Sequence, residues 1–534
     1  MKELAKEYKI VPPATAEEGT EPVYAGRPRN LTQLLNNTVD RYGPQEGVII
    51  TDPSARLSFQ QFASLVANVA SALYHDYGVK KGDRVALMLR NGLEFATSFF
   101  ALARIGAVTV PLNTALKGEE LAFQVADSGA AVLIVEPKFH QLFAGVSPAA
   151  KGVKHIFVTG DEPPAGTVAF SELLRDRGHP PVEVRVEEMD SAVIMYTSGT
   201  TGRPKGALLS HQAMITGAMN MAQLCDLRVG RDKILVVVPL FHITGLAIAF
   251  CSAVYAGITA VIVRKFKSDE ALQIIAAEKV TTMVAVPTIL WLILNEPEFG
   301  NYDLSSMRQF AAGGSASPEE LLKACAAKLP GVQLMPGYGL TEATAMTHTT
   351  TSLDEALTKL GSVGKALPIL KARVVDDSGK ELPLGQPGEL LVKGCQVMKE
   401  YWNNPEATRQ TIVDGWLHTG DIAKVTEDGY TYILDRMKDM IIRGGENIYS
   451  IEVENVLYRH PKVLEAAVVG VSDQVFGEQV KAALVLRPGE QATAEEIQEF
   501  CGQHLAYFKV PKYVEFMESL PRNPAGKVIK ARLK

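Results

Sequence analysis

The sequence is poor in the residues and patterns that mark several large classes of protein. Its 534 residues include only ten histidines, which form no HExxH motif, and five cysteines, which form no CxxC pair. Neither a disulfide framework nor a familiar zinc site is therefore indicated. We expect buried thiols in a protein of a reducing, cytoplasmic compartment, and the thiols are Cys225, Cys251, Cys325, Cys395 and Cys501.

The sequence also gives no indication of a basic binding surface or of a secretory leader. The formal net charge is −6, whereas a nucleic-acid partner normally requires a basic footprint, so none is predicted. The first residues, MKELAKEYKIVPP, lack the apolar region of a signal peptide. An uncharged run at 243–263 is divided by Gly257, which favours a buried helix followed by a buried strand over a membrane span. We predict no integral membrane segment.

Short apolar segments alternate with helix-length segments through most of the chain. VALML, AVTVPL, AAVLIV, KHIFV, ILVVV, TAVIV and TTMVAV have the length and composition of buried strands. A capping box at Ser58-Phe-Gln-Gln61 begins a segment with helical spacing. This alternation predicts an α/β fold with parallel-type sheets sandwiched by helices, and the chain length requires at least two domains.

The pattern changes after about residue 350. KARVVDDSGKELP predicts a hairpin that turns at Asp377-Ser378-Gly379, and GELLVKG and YTYIL add short strands. A β-rich subdomain is expected at about 352–434. The last hundred residues form a predicted α+β unit with helices over 451–459 and after the cap Thr493. We predict an N-terminal domain at 1–435 and a small C-terminal domain at 436–534, with the boundary near Arg436.

The stretch YTSGTTGRPKG at 196–206 is rich in glycine and hydroxyl side chains. Free backbone N–H groups, hydroxyls and the Lys205 ammonium could surround a polyphosphate. It is not a Walker A loop, because Pro204 stands where that motif needs glycine. Composition alone leaves a phosphate loop and an ordinary solvated loop equally open.

The exact string, however, resembles the signature of the adenylate-forming superfamily, which includes acyl-CoA synthetases. Further motifs of that family follow in the same order, and the resemblance runs from about residue 30 to the C-terminus. They are PLFHITGL at 239–246, GGSASP at 313–318, GYGLTEAT at 337–344, GWLHTGDIA at 415–423, DRMKDMIIRGGENIYSIEVE at 435–454 and NPAGKVIK at 523–530.

The resemblance implies two half-reactions. A carboxylate first attacks the α-phosphorus of ATP and forms an acyl-adenylate and pyrophosphate, and the thiol of coenzyme A then displaces AMP. Mg²⁺ would bridge the phosphates, with Thr197 and Glu342 as its protein ligands. The residues implied in ATP and AMP binding are Thr197, Ser198, Gly199, Thr200, Thr201, Gly202, Lys205, Gly313, Gly314, Ser315, Gly337, Tyr338, Gly339, Thr341, Asp421, Arg436 and Lys527.

Three residues carry the implied catalysis: Lys527, His242 and Thr341. Lys527 would screen the repulsion between the substrate carboxylate and the α-phosphate, which requires the small C-terminal domain to be mobile and to dock over the large one. Lys438 matches the family's hinge position, and the residues that match its coenzyme A loop are Arg443, Gly444 and Gly445. Outside these motifs Glu342 and Lys527 would be ordinary surface charges, Asp421 a helix cap, and His242 a packed core residue.

The acid is expected to have an apolar tail. His242 stands where amino-acid-activating relatives have an aspartate, and Gly339 stands where acetate-activating relatives have a tryptophan. These differences favour a medium or long aliphatic chain, or an aryl acid, in a pocket lined by residues that include His242, Gly313, Gly339 and Ala343.

Three other activities share these motifs to different degrees. Two are the loading of a separate carrier protein and a luciferase-like monooxygenase. The third is a non-catalytic nucleotide-binding regulator, which the presence of Lys527, Glu342 and Asp421 argues against. Homodimers are frequent among such enzymes, and the sequence leaves the assembly open.

Overall fold

A computed structural model describes residues 8–15, 19–144, 152–160, 162–197, 203–315, 317–522 and 528–534. The chain divides into two compact units. The first comprises Met1–Ala372 and Val392–Leu417, and the second comprises Arg373–Leu391 and His418–Lys534. The sequence predicts different limits, 1–435 and 436–534, and these functional domain limits stay a prediction.

Two large sheets form the first unit. The first sheet has eight strands, in the spatial order Glu400–Tyr401, Lys205–Ser210, Ser191–Thr197, Val108–Pro111, Arg84–Met88, Val132–Val135, His155–Val158 and Val168–Ala169. The second sheet has nine strands, in the spatial order Lys365–Ala366, Ala345–Thr349, Gln333–Leu340, Gln309–Ala312, Thr282–Ala285, Lys233–Val236, Thr259–Ile262, Glu46–Thr51 and Ser54–Ser58. Ile10–Val11 and Val23–Tyr24 form a separate antiparallel pair.

Most of the pairings inside these two sheets are parallel, as the alternation of strands and helices predicts. Their central strands are buried along their whole length, because helices cover both faces. The α-helices of this unit are Leu31–Tyr42, Phe59–His75, Leu93–Ile105, Gly118–Ser128, Pro137–Ala144, His211–Leu224, Ser252–Ala256, Ser268–Glu278, Pro287–Leu294, Glu319–Lys328, Leu353–Thr358 and Pro405–Thr411.

Several local predictions are confirmed in detail. The capping box at Ser58 is present, with Gln61 hydrogen-bonded in both directions. The uncharged run consists of a π-helix at Thr244–Cys251, the helix Ser252–Ala256, a left-handed Gly257 with φ 67° and the strand Thr259–Ile262. None of the helices in the described ranges combines the length and apolar character that crossing a membrane requires.

A third sheet of five strands contains Lys371–Val375, Gly388–Lys393, Ile412–Val413, Trp416–Val425 and Thr431–Arg436. The predicted hairpin is present: Asp376 N–H donates to the Lys380 carbonyl oxygen and Gly379 N–H to that of Asp376.

The second unit contains another sheet with two helices beside it. The strands are Ile441–Arg443, Glu446–Ile448, Val463–Asp473, Gly477–Leu486 and Tyr513–Phe516, and the helices are Ser450–Tyr458 and Ala494–His504. Thr493 caps the second helix, as its sequence predicts. The core of this unit includes Leu457, Val468, Leu484 and Ile497, all fully buried.

Candidate active site

Three of the sequence motifs lie at one edge of the second sheet. The strands Lys233–Val236, Thr282–Ala285, Gln309–Ala312 and Gln333–Leu340 are neighbours and run parallel. The motifs PLFHITGL and GGSASP follow the first and third of these strands, and GYGLTEAT begins within the fourth. The carboxyl edge of a parallel sheet is where such folds bind ligands, so these motifs share a location suited to a site.

The glycine-rich loop joins two antiparallel strands of the first sheet. Thr197 pairs with Lys205, and Tyr196 with Gly206, at the ends of these strands. The Tyr196 hydroxyl donates to an Asp127 carboxylate oxygen at 2.6 Å, which anchors the base of the loop. The predicted phosphate-binding residues between the two ends lie outside the described residues: Ser198, Gly199, Thr200, Thr201 and Gly202.

Thr197 and Glu342 meet although 145 positions separate them. The Thr197 hydroxyl donates to Glu342 Oε1 at 3.3 Å, and the Tyr401 hydroxyl donates to the same oxygen at 2.9 Å. Burial and the nearby Glu342 carboxylate raise the pKa of Tyr401, which keeps its hydroxyl protonated as a donor. Glu342 is half-buried, and no described residue donates a hydrogen bond to its second carboxylate oxygen.

The sequence motifs include Thr197 and Glu342 but not Tyr401. Tyr401 also supports Lys205, whose ammonium lies 5.0 Å from the centre of the Tyr401 ring. An isolated tyrosine in KEYWNN gives no signal of its own, because its contacts arise only when the edge strand Glu400–Tyr401 pairs with Lys205–Ser210.

The motif GYGLTEAT begins on the strand Gln333–Leu340, which lies unusually close to its neighbours. A Cβ atom at Gly337 would lie 3.2 Å from the His348 carbonyl oxygen, and one at Gly339 would lie 1.4 Å from that of Ala345. Gly313 faces the Gly337 carbonyl oxygen in the same way, at 3.3 Å. Strand packing therefore requires glycine at position 339, since the backbone of the next strand fills the place of any side chain, and the predicted role of Gly339 in the acyl pocket stays a prediction.

The predicted nucleotide residues of this edge are accessible to different extents. The Tyr338 ring is half-buried and lies 5.9 Å from the His348 ring, centre to centre. Gly314, with φ 86°, and Ser315 are exposed in the loop after Gln309–Ala312. Thr341, Glu342 and Ala343 form a single 3₁₀ turn, in which Ala343 is fully buried.

His242 lies in a tightly held loop at the same edge. Its side chain is half-buried, unlike His211 and His348, which are fully buried, so a wholly packed core histidine does not describe it. Asn91, which the sequence analysis missed, pins this loop by accepting from Leu240 N–H at 2.7 Å and donating to the Val238 carbonyl oxygen at 3.2 Å.

Asp421 and Arg436 are cross-strand partners within the second unit. Arg436 Nε lies 3.3 Å from Asp421 Oδ1, and Asp421 is largely buried. Asp421 lies inside the strand Trp416–Val425, so it does not act as a helix cap. The predicted hinge residue Lys438 is exposed two positions beyond Arg436.

The predicted coenzyme A loop lies between Ile441–Arg443 and Glu446–Ile448. Gly444 and Gly445 have φ values of 59° and 88°, which side chains rarely adopt. Arg443 donates to Gln479 Oε1 at 2.7 Å and lies 4.4 Å from the centre of the Phe476 ring. Lys527 lies outside the described residues.

All five cysteines are buried and unpaired, as expected. Burial raises the pKa of Cys325, Cys395 and Cys501 to about 11, so these thiols stay protonated near neutral pH. Across the described ranges, no three His, Cys, Asp or Glu side chains converge in a way that could hold a metal ion.

Comparison with known proteins agrees with this arrangement. The family model described as AMP-binding enzyme matches residues 36–402, and the model described as AMP-binding enzyme C-terminal domain matches residues 452–527.

Three relatives illustrate the range of similar proteins. The chain is 38% identical over 513 residues to the long-chain-fatty-acid–CoA ligase FadD13 of Mycobacterium tuberculosis, covering 95% of this chain and 98% of the relative. It is 38% identical over 499 residues to the indoleacetate–CoA ligase of Aromatoleum aromaticum, covering 93% and 96%. Among solved structures, the o-succinylbenzoate coenzyme A synthetase MenE from Bacillus subtilis, in complex with ATP and magnesium ion, is 32% identical with a TM-score of 0.83, covering 94% and 98%.

The match covers more than half of the chain and includes the motifs at the sheet edge. The chain therefore belongs to the family of AMP-binding, adenylate-forming enzymes, and within it to the acid–thiol ligases of the acyl-CoA synthetase type.

Proposed function

We propose that the protein joins a carboxylic acid with an apolar aliphatic or aryl tail to coenzyme A, with ATP as the energy source. The acid attacks the α-phosphorus of ATP, pyrophosphate leaves, and the thiol of coenzyme A then attacks the acyl carbonyl and releases AMP. An anion must approach a polyanion in the first step, so the protein's task is mainly positioning and charge stabilisation.

The meeting of Thr197 and Glu342 is the observation that carries this proposal. The hydroxyl at the start of the glycine-rich loop and the carboxylate of TEAT face each other at 3.3 Å. Lys205 stands at the other end of the same loop, paired with Thr197 in the sheet. A cation, a hydroxyl and a carboxylate around one loop suit a nucleotide triphosphate accompanied by a divalent metal.

These residues fit Mg²⁺. Thr197 and Glu342 offer hard oxygen ligands, and one Glu342 oxygen accepts nothing from the described residues. Two protein ligands are too few for a protein cage, so phosphate and water oxygens would complete the coordination. When bound, the metal supplies charge neutralisation for the leaving pyrophosphate.

The remaining roles are those that the family resemblance implies, and the chemistry of each residue suits its role. Tyr338 offers its ring to adenine, Asp421 and Arg436 hold the ribose and phosphate, and Thr341 contacts the nucleotide near Glu342. Lys527 neutralises the carboxylate and α-phosphate as they approach. Lys438 serves as hinge, and the coenzyme A loop is formed by Arg443, Gly444 and Gly445.

We assign the acyl tail of the substrate to the carboxyl edge of the second sheet, beside the half-buried His242 and three small residues. Gly313, Gly339 and Ala343 have no side chain or only a methyl group, and His242 offers no anion to an amino group. The relatives include both a long-chain-fatty-acid ligase and an indoleacetate ligase at 38% identity, which supports an apolar tail of either type.

A substrate panel tests the activity. The protein is incubated with Mg²⁺, ATP and acetate, octanoate, palmitate, benzoate or indoleacetate, with and without coenzyme A, while pyrophosphate, AMP, thioester and light are followed. We expect thioester and AMP in equal amounts with an apolar acid and little product with acetate. Light, acylation of a carrier protein alone, or no acid-dependent pyrophosphate would overturn the proposal.

Lys527→Ala tests the assigned chemistry. We expect acid-dependent pyrophosphate formation to fall by at least about 100-fold, because the charge is removed from the transition state. Thioester formation from supplied acyl-adenylate should be retained. Lys380→Ala, which removes an exposed lysine of the hairpin turn, is the matched control. Normal pyrophosphate release by Lys527→Ala would contradict the assignment.

A further inference from the structure

One segment of the first unit contacts Glu342 and the turn after it at several points. This clamp segment, residues 396–401, follows the strand Gly388–Lys393 and includes the edge strand Glu400–Tyr401. Met398 N–H donates to the Glu342 carbonyl oxygen at 2.7 Å, and the Tyr401 hydroxyl donates to the Glu342 side chain at 2.9 Å. The clamp segment therefore holds both the backbone and the carboxylate of the same residue.

The turn that follows Glu342 is strained. Thr344 and Ala345 have φ values of 51° and 71°, and neither is a glycine or an asparagine. Such a conformation is energetically unfavourable for a residue with a side chain and persists only where its surroundings enforce it. The turn changes the chain direction from the 3₁₀ turn Thr341–Ala343 to the strand Ala345–Thr349.

Gln396 holds Thr344 and Ala345 in this conformation through hydrogen bonds. Its Nε2 donates to the Ala343 carbonyl oxygen at 2.7 Å and to the Met346 carbonyl oxygen at 2.6 Å. The Thr344 hydroxyl donates to the Gln396 carbonyl oxygen at 2.7 Å. These three bonds span the two strained residues, so the turn cannot relax without breaking buried hydrogen bonds.

The Gln396 side chain is itself fixed. It is fully buried, and its Oε1 accepts from Asn220 Nδ2 at 2.6 Å. Asn220 Oδ1 in turn accepts from the Tyr24 hydroxyl at 2.7 Å. Both N–H groups and the oxygen of the Gln396 amide are hydrogen-bonded, and its NH₂ group can donate to two carbonyl oxygens where a carboxylate oxygen could not.

Tyr401 completes the arrangement on the side of the glycine-rich loop. It contacts Glu342 through its hydroxyl and Lys205 through its ring face, at 2.9 Å and 5.0 Å. Both of these contacted residues belong to the nucleotide machinery proposed above. A glutamate side chain has three free torsions, and a second fixed donor on Oε1 restricts which way its other oxygen points.

We propose that Gln396 and Tyr401 are positioning residues for divalent-metal nucleotide binding: Gln396 holds the strained turn, and Tyr401 aims the Glu342 carboxylate. This inference rests on the proposed function, in which Glu342 is a metal ligand. Residues that orient a metal ligand typically change metal affinity by about 10–100-fold when they are altered.

Tyr401→Phe tests the aiming of the carboxylate. Binding of Mn²⁺ with ATP is followed by the electron paramagnetic resonance of free Mn²⁺, and ATP binding in EDTA is followed by calorimetry. We expect Mn²⁺ affinity in the presence of ATP to fall about 10-fold, with metal-free ATP binding and the unfolding midpoint unchanged. Tyr458→Phe, which loses the hydrogen bond to the Ala466 carbonyl oxygen in the second unit, is the control and should change neither affinity.

Gln396→Glu tests the turn. It keeps the shape but places an oxygen against two carbonyl oxygens, so we expect a loss of stability together with a loss of Mn²⁺ affinity. Gln309→Glu makes the same change at a buried amide that donates to the Cys225 carbonyl oxygen, away from Glu342. It should lower stability without lowering Mn²⁺ affinity in the folded protein.

The outcomes separate this inference from the function on which it rests. If Glu342→Gln leaves Mn²⁺ affinity unchanged, the proposed metal ligand is wrong. If Glu342→Gln lowers the affinity and Tyr401→Phe does not, the positioning inference is overturned. It is also overturned if Tyr401→Phe weakens metal-bound and metal-free ATP binding equally, because a general structural role would have that effect.

Discussion

At the scale of single residues, the closest approach in the site occurs at Gly339. A Cβ atom on Gly339 would lie 1.4 Å from the carbonyl oxygen of Ala345, so backbone already fills the space of a side chain. The sequence predicted Gly339 as the residue that leaves the acyl pocket open, and that remains a prediction. The structure adds that any side chain here must first displace the backbone of Ala345–Thr349.

Gly339→Ala is therefore expected to destabilise the first unit by about 3 kcal/mol or more, because backbone cannot move aside as a flexible side chain can. Chemical denaturation measures the change. Gly502→Ala, in the helix Ala494–His504 where a Cβ atom would meet nothing within 4 Å, is the control. It should be neutral or stabilising by up to about 1 kcal/mol. Equal stability of the two variants would show that the strands are not as close as described.

At the scale of elements, a largely buried charge cluster joins three parts of the second unit, with Asp435 buried and Glu454 and Lys530 partly exposed. Lys530 Nζ lies 2.8 Å from Glu454 Oε1 on the helix Ser450–Tyr458 and donates to the Ser450 hydroxyl at 2.6 Å. The Ser450 hydroxyl donates to Asp435 Oδ1 at 2.9 Å. Burial raises the pKa of both Asp435 and Glu454, with the Lys530 ammonium opposing the rise. The cation thus offsets the desolvation of two carboxylates.

Lys530→Met should destabilise the second unit by about 3 kcal/mol, because it leaves buried carboxylates without their cation. Lys267→Met removes one partner of an exposed pair with Glu270 and should change stability far less, because water and salt screen the exposed pair. Urea denaturation compares the two variants. Adding Glu454→Gln to Lys530→Met should recover part of the loss, and a double variant that is less stable still would contradict the account.

At the same scale, the strands and helices follow closely from the sequence. Strand composition, the Ser58 capping box, the Thr493 cap and the turn at Gly379 are all local signals, and all four are confirmed. The π-helix at Thr244–Cys251 was not predicted as such. Its pattern is that of any buried helix, and periodicity alone does not reveal the wider turn.

At the scale of the whole molecule, two buried histidines make stability depend on pH. His211 and His348 are fully buried, and each pKa is lowered from 6.5 to about 4, mainly by desolvation. For His211, Asp190 opposes the shift, whereas Lys81 and Lys399 add to it. Below about pH 6.5 the unfolded chain binds protons that the folded protein does not take up until about pH 4.

Stability is therefore present above pH 6.5 and should be lost as the pH falls from 6.5 to 4, by roughly 3 kcal/mol for each histidine. Denaturation at a series of pH values measures this slope. Carboxylates also titrate in this range, so the wild-type protein is compared with His348→Gln. This variant should show a shallower dependence of stability on pH, because the contribution of His348 is removed. An unchanged slope in this variant would contradict the assignment for His348.

Local patterns along the chain are enough to give its family, through the motifs, and its α/β class, through the alternation of strand and helix segments. These are local properties, since a glycine, a cap or a β-branched run acts on its own backbone.

Which distant residues meet depends on how the elements assemble in three dimensions. Tyr401 reaches Glu342 and Lys205 because the edge strand Glu400–Tyr401 joins the first sheet beside Lys205–Ser210. Gln396 spans a strained turn more than fifty positions away. Sheet order and close backbone approach set these contacts, and neither leaves a periodic or compositional signal along the chain.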